Sequence, residues 1–175
     1  MRQALQMVVL LAALAPGPAA AQSQGAPAGE TAPRTGPVSG LPVPRFVALR
    51  ASEVNLRTGP GQRYPIEWVY RRAGLPVEVI DEFETWRRVR DWEGSIGWVH
   101  QNLLTGDRSA LVAGKQRLLR RAPEDGAPGL ALLEAGVVAR LERCAEGWCK
   151  LEVKGFEGWL REDEIYGVEP GEKIR

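Results

Sequence analysis

From Phe46 onward, apolar and polar residues alternate in short runs, and each run is closed by Gly, Pro, Asp or Asn. A period of two in short pieces predicts strands rather than helices. In PVEVI (76–80) Val77 and Val79 fall on one face. FET then leads into WRRVR (86–90), DWEG turns the chain, and SIGWV (95–99) brings it back. Three consecutive hairpin strands result. The same order returns as VVARL (137–141), WCKLEV (148–153) and FEGWL (156–160). Each set is followed by a polar piece, HQNLL (100–104) or REDEI (161–165), which reads as one 3₁₀ turn leading to a closing strand.

The recurrence is an internal duplication. LRTGP (56–60) aligns with LRRAP (119–123), Gly74 with Gly136, Glu84 and Trp86 with Glu146 and Trp148, and Gly97-Trp98 with Gly158-Trp159, at offsets of 63, 62, 62 and 61. Single-residue deletions in loops account for the drift. About five short strands in about 60 residues, with a long loop after the first, describe a small, partly open β-barrel. NLRTGPG, the glycine before an apolar strand, the tryptophan ahead of the next strand, GWV and NLL resemble the bacterial SH3 domain family over 46–168.

The resemblance implies an all-β fold of two tandem SH3-like barrels, 45–106 and 107–168, packed together, with a tail at 169–175. The connection TGDRSALVAG (105–114) is expected to supply an outer strand. Leu56 and Leu119 should point into the barrels. The family is associated with recognition of cell-wall peptides without catalysis; docking of another periplasmic protein is the alternative.

The beginning of the chain has a different character. Met1-Arg2, the apolar run ALQMVVLLAALA (4–15) and the small residues before Gln22 read as a signal peptide, 1–21, too short to span a membrane. Residues 22–44, rich in Pro, Gly and Ala, read as a disordered linker. A periplasmic or secreted chain follows, with no membrane insertion of its mature part. Without residues 1–21 it carries 22 basic and 22 acidic side chains, a balance that argues against nucleic acid.

Chemistry enters at few positions. VNLRTGPG (54–61) opens no helix and lacks Lys-Ser/Thr, so it is a turn rather than a phosphate cradle. His100 stands alone, no nucleophile motif accompanies it, and the carboxylates fall at turns of separate barrels, so no catalytic site is expected. One histidine and two cysteines make an incomplete metal set, and no cofactor is implied. Tyr64, Trp68, Tyr70, Trp86 and Trp98 are the candidate ligand-binding residues. On the parity opposite to Val89 and Leu151, Trp86 and Trp148 either line an exposed groove or fill the interface between copies. In the second copy Leu130 and Leu132 are expected where the first has Trp68 and Tyr70. Cys144 and Cys149 form an even pair in an exported chain, and CAEGWC places them across a hairpin turn at Glu146-Gly147, which predicts a disulfide. Redox pairs are typically spaced C-x-x-C, unlike this one.

Overall fold

The computed structural model describes residues 33–175, so the expected signal peptide and the first part of the linker lie outside the described residues. Strands β1 (Arg34–Thr35) and β2 (Pro42–Val43) form a small antiparallel ribbon. The first barrel follows as β3 (Arg45–Leu49), β4 (Val54–Arg57), β5 (Ile66–Tyr70), β6 (Pro76–Phe83), β7 (Trp86–Arg90), β8 (Ile96–His100) and β9 (Leu104–Thr105). The second repeats it as β10 (Ser109–Val112), β11 (Arg117–Arg120), β12 (Gly129–Leu133), β13 (Val138–Ala145), β14 (Trp148–Val153), β15 (Phe156–Arg161) and β16 (Ile165–Tyr166). The strand orders β5-β4-β8-β7-β6-β3-β9 and β12-β11-β15-β14-β13-β10-β16 are the same order twice. The expected 3₁₀ turns are Gln101–Leu103 and Glu162–Glu164.

Alternation places the cores as read. Leu56, Val77, Val79, Val89 and Val99 are fully buried in the first barrel, and Leu119, Leu151 and Leu160 in the second. The repeated Gly-Trp has a steric cause. A Cβ on Gly97 would stand 2.6 Å from Leu56 Cγ and 2.8 Å from the Arg57 carbonyl oxygen, and one on Gly158 would stand 2.6 Å from Leu119 Cγ and 2.7 Å from the Arg120 carbonyl oxygen. β4 and β11 therefore lie against bare backbone, and any side chain there would push the strand away.

Two expectations are corrected. β10 is not an outer strand: it lies between β13 and β16, and all four of its residues are buried. Alternation splits it between two cores, with Ala110 and Val112 in the second barrel's and Leu111 in the first's. Tyr166 joins the same junction, its ring edge-on to Phe46 at 5.1 Å and its hydroxyl donating to the Arg90 carbonyl at 2.9 Å.

The linker expected to run through Pro44 is ordered from Arg34. Its turn is fastened to Glu82, which accepts the amides of Val38 (3.1 Å) and Ser39 (2.8 Å) and the Ser39 hydroxyl (2.6 Å). Composition gave no sign of this because the binding carboxylate lies far along the sequence. The tail is also held, by Arg108 on Glu172 and a backbone pair between Ile174 and Cys144.

Candidate functional site

Tyr64, Trp68, Tyr70, Trp86 and Trp98 do not converge on one groove. Tyr70, 2% exposed, is a core residue that donates its hydroxyl to Asp91 at 2.8 Å. Burial, reinforced by that hydrogen bond and the carboxylate's charge, pushes the phenol far above its ordinary value. Asp91 also caps the following turn, accepting the amides of Glu93 and Ser95 at 3.0 and 2.9 Å.

Trp86 lies on the outer face of the sheet, as its parity requires, yet is only 9% exposed and packs edge-on against His100 at 5.3 Å. Its counterpart Trp148, 7% exposed, is covered by the guanidinium groups of Arg120 and Arg161, 5.4 and 4.8 Å from the ring centre. Neither tryptophan lines an exposed groove or fills the space between the barrels. Side chains of the same outer face cover them. His100 is accounted for as well: its Nδ1 accepts the Asn102 amide at 3.4 Å at the start of the 3₁₀ turn.

Trp98 is half-buried and directly opposite Arg57 on one neighbouring strand and Arg88 on the other. Arg57 spends its guanidinium on the carbonyls of Gln62 and Tyr64 at 3.1 and 2.8 Å, which closes the loop after β4. Tyr64 completes the closure, for a Cβ on Gly59 would run into its ring. The loop is a turn packed on its own tyrosine. Trp68 is the exposed ring: it sits on β5 at the sheet edge, 58% exposed, with Ile66 on the same strand 47% exposed.

Strand register replaces the expected correspondence in the second copy. Trp68 pairs with Leu56 and Tyr70 with Val54, while Ala131 pairs with Leu119 and Leu133 with Arg117. Ala131 and Leu133 therefore stand for Trp68 and Tyr70, one residue on from Leu130 and Leu132. The exposed edge tryptophan belongs to the first barrel alone. The second instead has a groove of 250 Å³ lined by Ala131, Leu132, Val153, Lys154 and Phe156, with Leu132 and Phe156 63% and 52% exposed.

Sequence reasoning missed Trp92. It packs on Tyr70 at 6.1 Å and lines a 460 Å³ recess at the junction with Leu111 and Tyr166. Its place in the turn DWEG carried no periodic signal. Cys144 and Cys149 form the expected disulfide, with Cα atoms 4.1 Å apart across a turn at Glu146 and Gly147, both at positive φ. Among the described residues no group of three or more His, Cys, Asp or Glu is placed to hold a metal ion, and no helix is long and apolar enough to cross a membrane.

Two segments, 50–106 and 113–167, match the bacterial SH3 domain, and together they cover more than half of the chain. The chain belongs to the bacterial SH3 domain family. It is 25% identical over 126 residues to the "Putative N-acetylmuramoyl-L-alanine amidase YrvJ" of Bacillus subtilis (strain 168), a match covering 62% of this chain and 24% of that protein. The chain thus spans about a quarter of the relative it matches. Among solved structures it is similar to NlpC1 of Trichomonas vaginalis (TM-score 0.33, 11% identity, 75% of this chain and 48% of the other) and to NlpC2 of the same organism (0.33, 11%, 71% and 48%).

Proposed function

We propose that this chain is an exported, non-catalytic binding module that recognises peptides of the bacterial cell wall. The observation that carries the reading is the pair of bacterial SH3 copies, whose relative bears the name "Putative N-acetylmuramoyl-L-alanine amidase YrvJ". The disulfide supports export, since such bonds persist in oxidising compartments. The amino-terminal segment, read as a signal peptide, agrees with it.

Within the module, the first barrel is the binding half. Trp68 and Ile66 offer apolar surface on an open edge strand, and Trp98 lies between two arginines on the adjoining face. A peptide laid along β5 would gain main-chain hydrogen bonds from the edge and stacking from the indole. Tyr64 shapes the loop beside it. Tyr70, in the core, and Trp86, covered by His100, are not part of that surface.

Co-sedimentation with purified peptidoglycan sacculi tests the reading. The chain is expected to pellet with sacculi and Trp68→Ala to lose retention while keeping its melting behaviour. A chain that stays in the supernatant and captures a periplasmic protein through β5 instead would replace wall recognition with the adaptor reading, which the exposed edge also favours.

A further inference from the structure

The longest strand of each barrel is paired on one side as far as its last residue, and on the other only over its first half. β6 meets β7 from Glu78 to Phe83 but β3 no further than Val79, and β13 meets β14 from Arg140 to Ala145 but β10 no further than Arg140. Beyond the bulge a half-edge of backbone groups faces away from the sheet, and such groups need partners.

Each half-edge is covered by a segment from outside its barrel. In the second barrel the Cys144 amide donates to the Ile174 carbonyl at 3.1 Å and the Ile174 amide donates back at 3.2 Å. The Ile174 side chain packs against the second core, and Arg108 binds both oxygens of Glu172, at 2.5 and 2.9 Å. In the first barrel the cover comes from residues before β3. Arg34 donates to the Ile80 carbonyl at 3.2 Å, and the turn at Val38 and Ser39 closes on Glu82.

Arg45 and Arg108 hold the same register position, one opposite Val79 and the other supplying its carbonyl to the amide of Leu141. The two covers differ in kind: in the first barrel side chains make it, Arg34 on the Ile80 carbonyl and the Glu82 carboxylate on the turn, whereas in the second the groove takes backbone, one charge and one apolar side chain. In the first barrel the carboxylate belongs to the strand itself, so Arg45 is satisfied from within at 2.9 Å. In the second, Cys144 stands where Glu82 does, and Arg108 takes its carboxylate from the incoming segment.

We propose that the half-edge of β13 from Glu142 to Ala145, together with Arg108, is a strand-docking site for an extended segment of a partner protein with a carboxylate two residues before an aliphatic side chain. Glu172 and Ile174 of this chain occupy it in cis. The disulfide keeps Cys144 opposite Cys149, so that the Cys144 amide and carbonyl face the incoming segment. The cis segment has the advantage of tethering, equivalent to an effective concentration on the order of millimolar, and a partner competes against that. The inference does not rest on wall recognition, because none of these groups belongs to the surface on β5.

The test uses the whole chain and a fluorescent peptide with the sequence of residues 168–175, VEPGEKIR. With Ile174→Asp in the protein to empty the groove, the peptide should bind saturably, and the unaltered chain should bind it roughly tenfold more weakly or worse. Adding Arg108→Ala, or replacing the peptide's glutamate at the Glu172 position by Gln, should weaken binding roughly tenfold. Hydrogen exchange at the Cys144 amide should accelerate in Ile174→Asp and slow again when peptide is added. If Ile174→Asp does not fold, Glu172→Gln serves in its place. A folded variant that takes up no peptide at concentrations up to about 1 mM overturns the proposal. So does binding that is indifferent to Arg108.

Discussion

At one cross-strand position the two barrels solve the same problem with opposite chemistry. Glu82 faces Arg87 in the first barrel, and Cys144 faces Cys149 in the second. A second pair differs likewise: Tyr70 donates to Asp91 inside the first barrel, where the second has Leu133 and Val153. The fold fixes that two side chains meet at these places; it leaves open whether charge, hydrogen bonding, apolar contact or a covalent bond joins them. The consequence is a difference in sensitivity. The first barrel's links respond to protonation, and the second's to reductant.

The largest expected effect tests what the copies share. Leu56→Ala and Leu119→Ala should each cost about 2–5 kcal/mol, because both side chains are fully buried under strands that cannot close the gap. Guanidinium titration followed by tryptophan fluorescence should show a single transition in each variant. Two separate transitions would mean that the barrels are independent.

The next effect separates them by acid. Burial opposes the charge on Glu82, but the hydroxyl and amide of Ser39, the Arg45 guanidinium and the Val38 amide outweigh it and hold the carboxyl down at about 2. A carboxyl held below its ordinary value stabilises the fold above that ordinary value, and the stabilisation is lost as pH falls toward 2. Between pH 5 and 2 the contribution lost is roughly 3 kcal/mol at most, and Glu82→Gln should flatten that part of the stability profile.

Reductant addresses the other barrel. Cys144→Ala/Cys149→Ala should cost about 2 kcal/mol, the value for a bridge closing a small loop, with little change in the acid profile. Intact mass with and without reductant, after alkylation of the native protein, checks that the bond is formed. The smallest expected effect is Trp68→Ala, within about 0.5 kcal/mol in a thermal melt because the ring is already exposed. Its readout is retention on sacculi, and the alanine at the matching position of the second barrel shows that the strand accepts the change.

Much of the fold was legible in the sequence because it rests on local signals. Alternation located Leu56, Val77, Val79, Val89 and Val99, and the turn at Glu146-Gly147 located the disulfide. Alternation tells which side of a sheet a residue occupies and nothing about what covers that side. For this reason Trp86 and Trp148 were expected on the outer face and found there, but buried, under His100 in one case and under Arg120 and Arg161 in the other. The ordered ribbon before β3 was illegible for a related reason. Its anchor is a carboxylate 43 residues from Ser39, and composition carries no trace of so distant a partner. In β10 the apolar run SALV identified a strand, while its division between two cores depends on the packing of the barrels.

That division limits how the molecule can change over generations. Tandem copies are usually exchanged like beads, one lost or gained without harm to its neighbour. Here a cut between the copies removes Leu111 from the core of the first barrel, and a new copy inserted there would part Leu111 from the pocket it fills. Recombination at this seam would pass on half of a core. The pair is therefore the heritable unit, and expansion of the array is expected to proceed by twos.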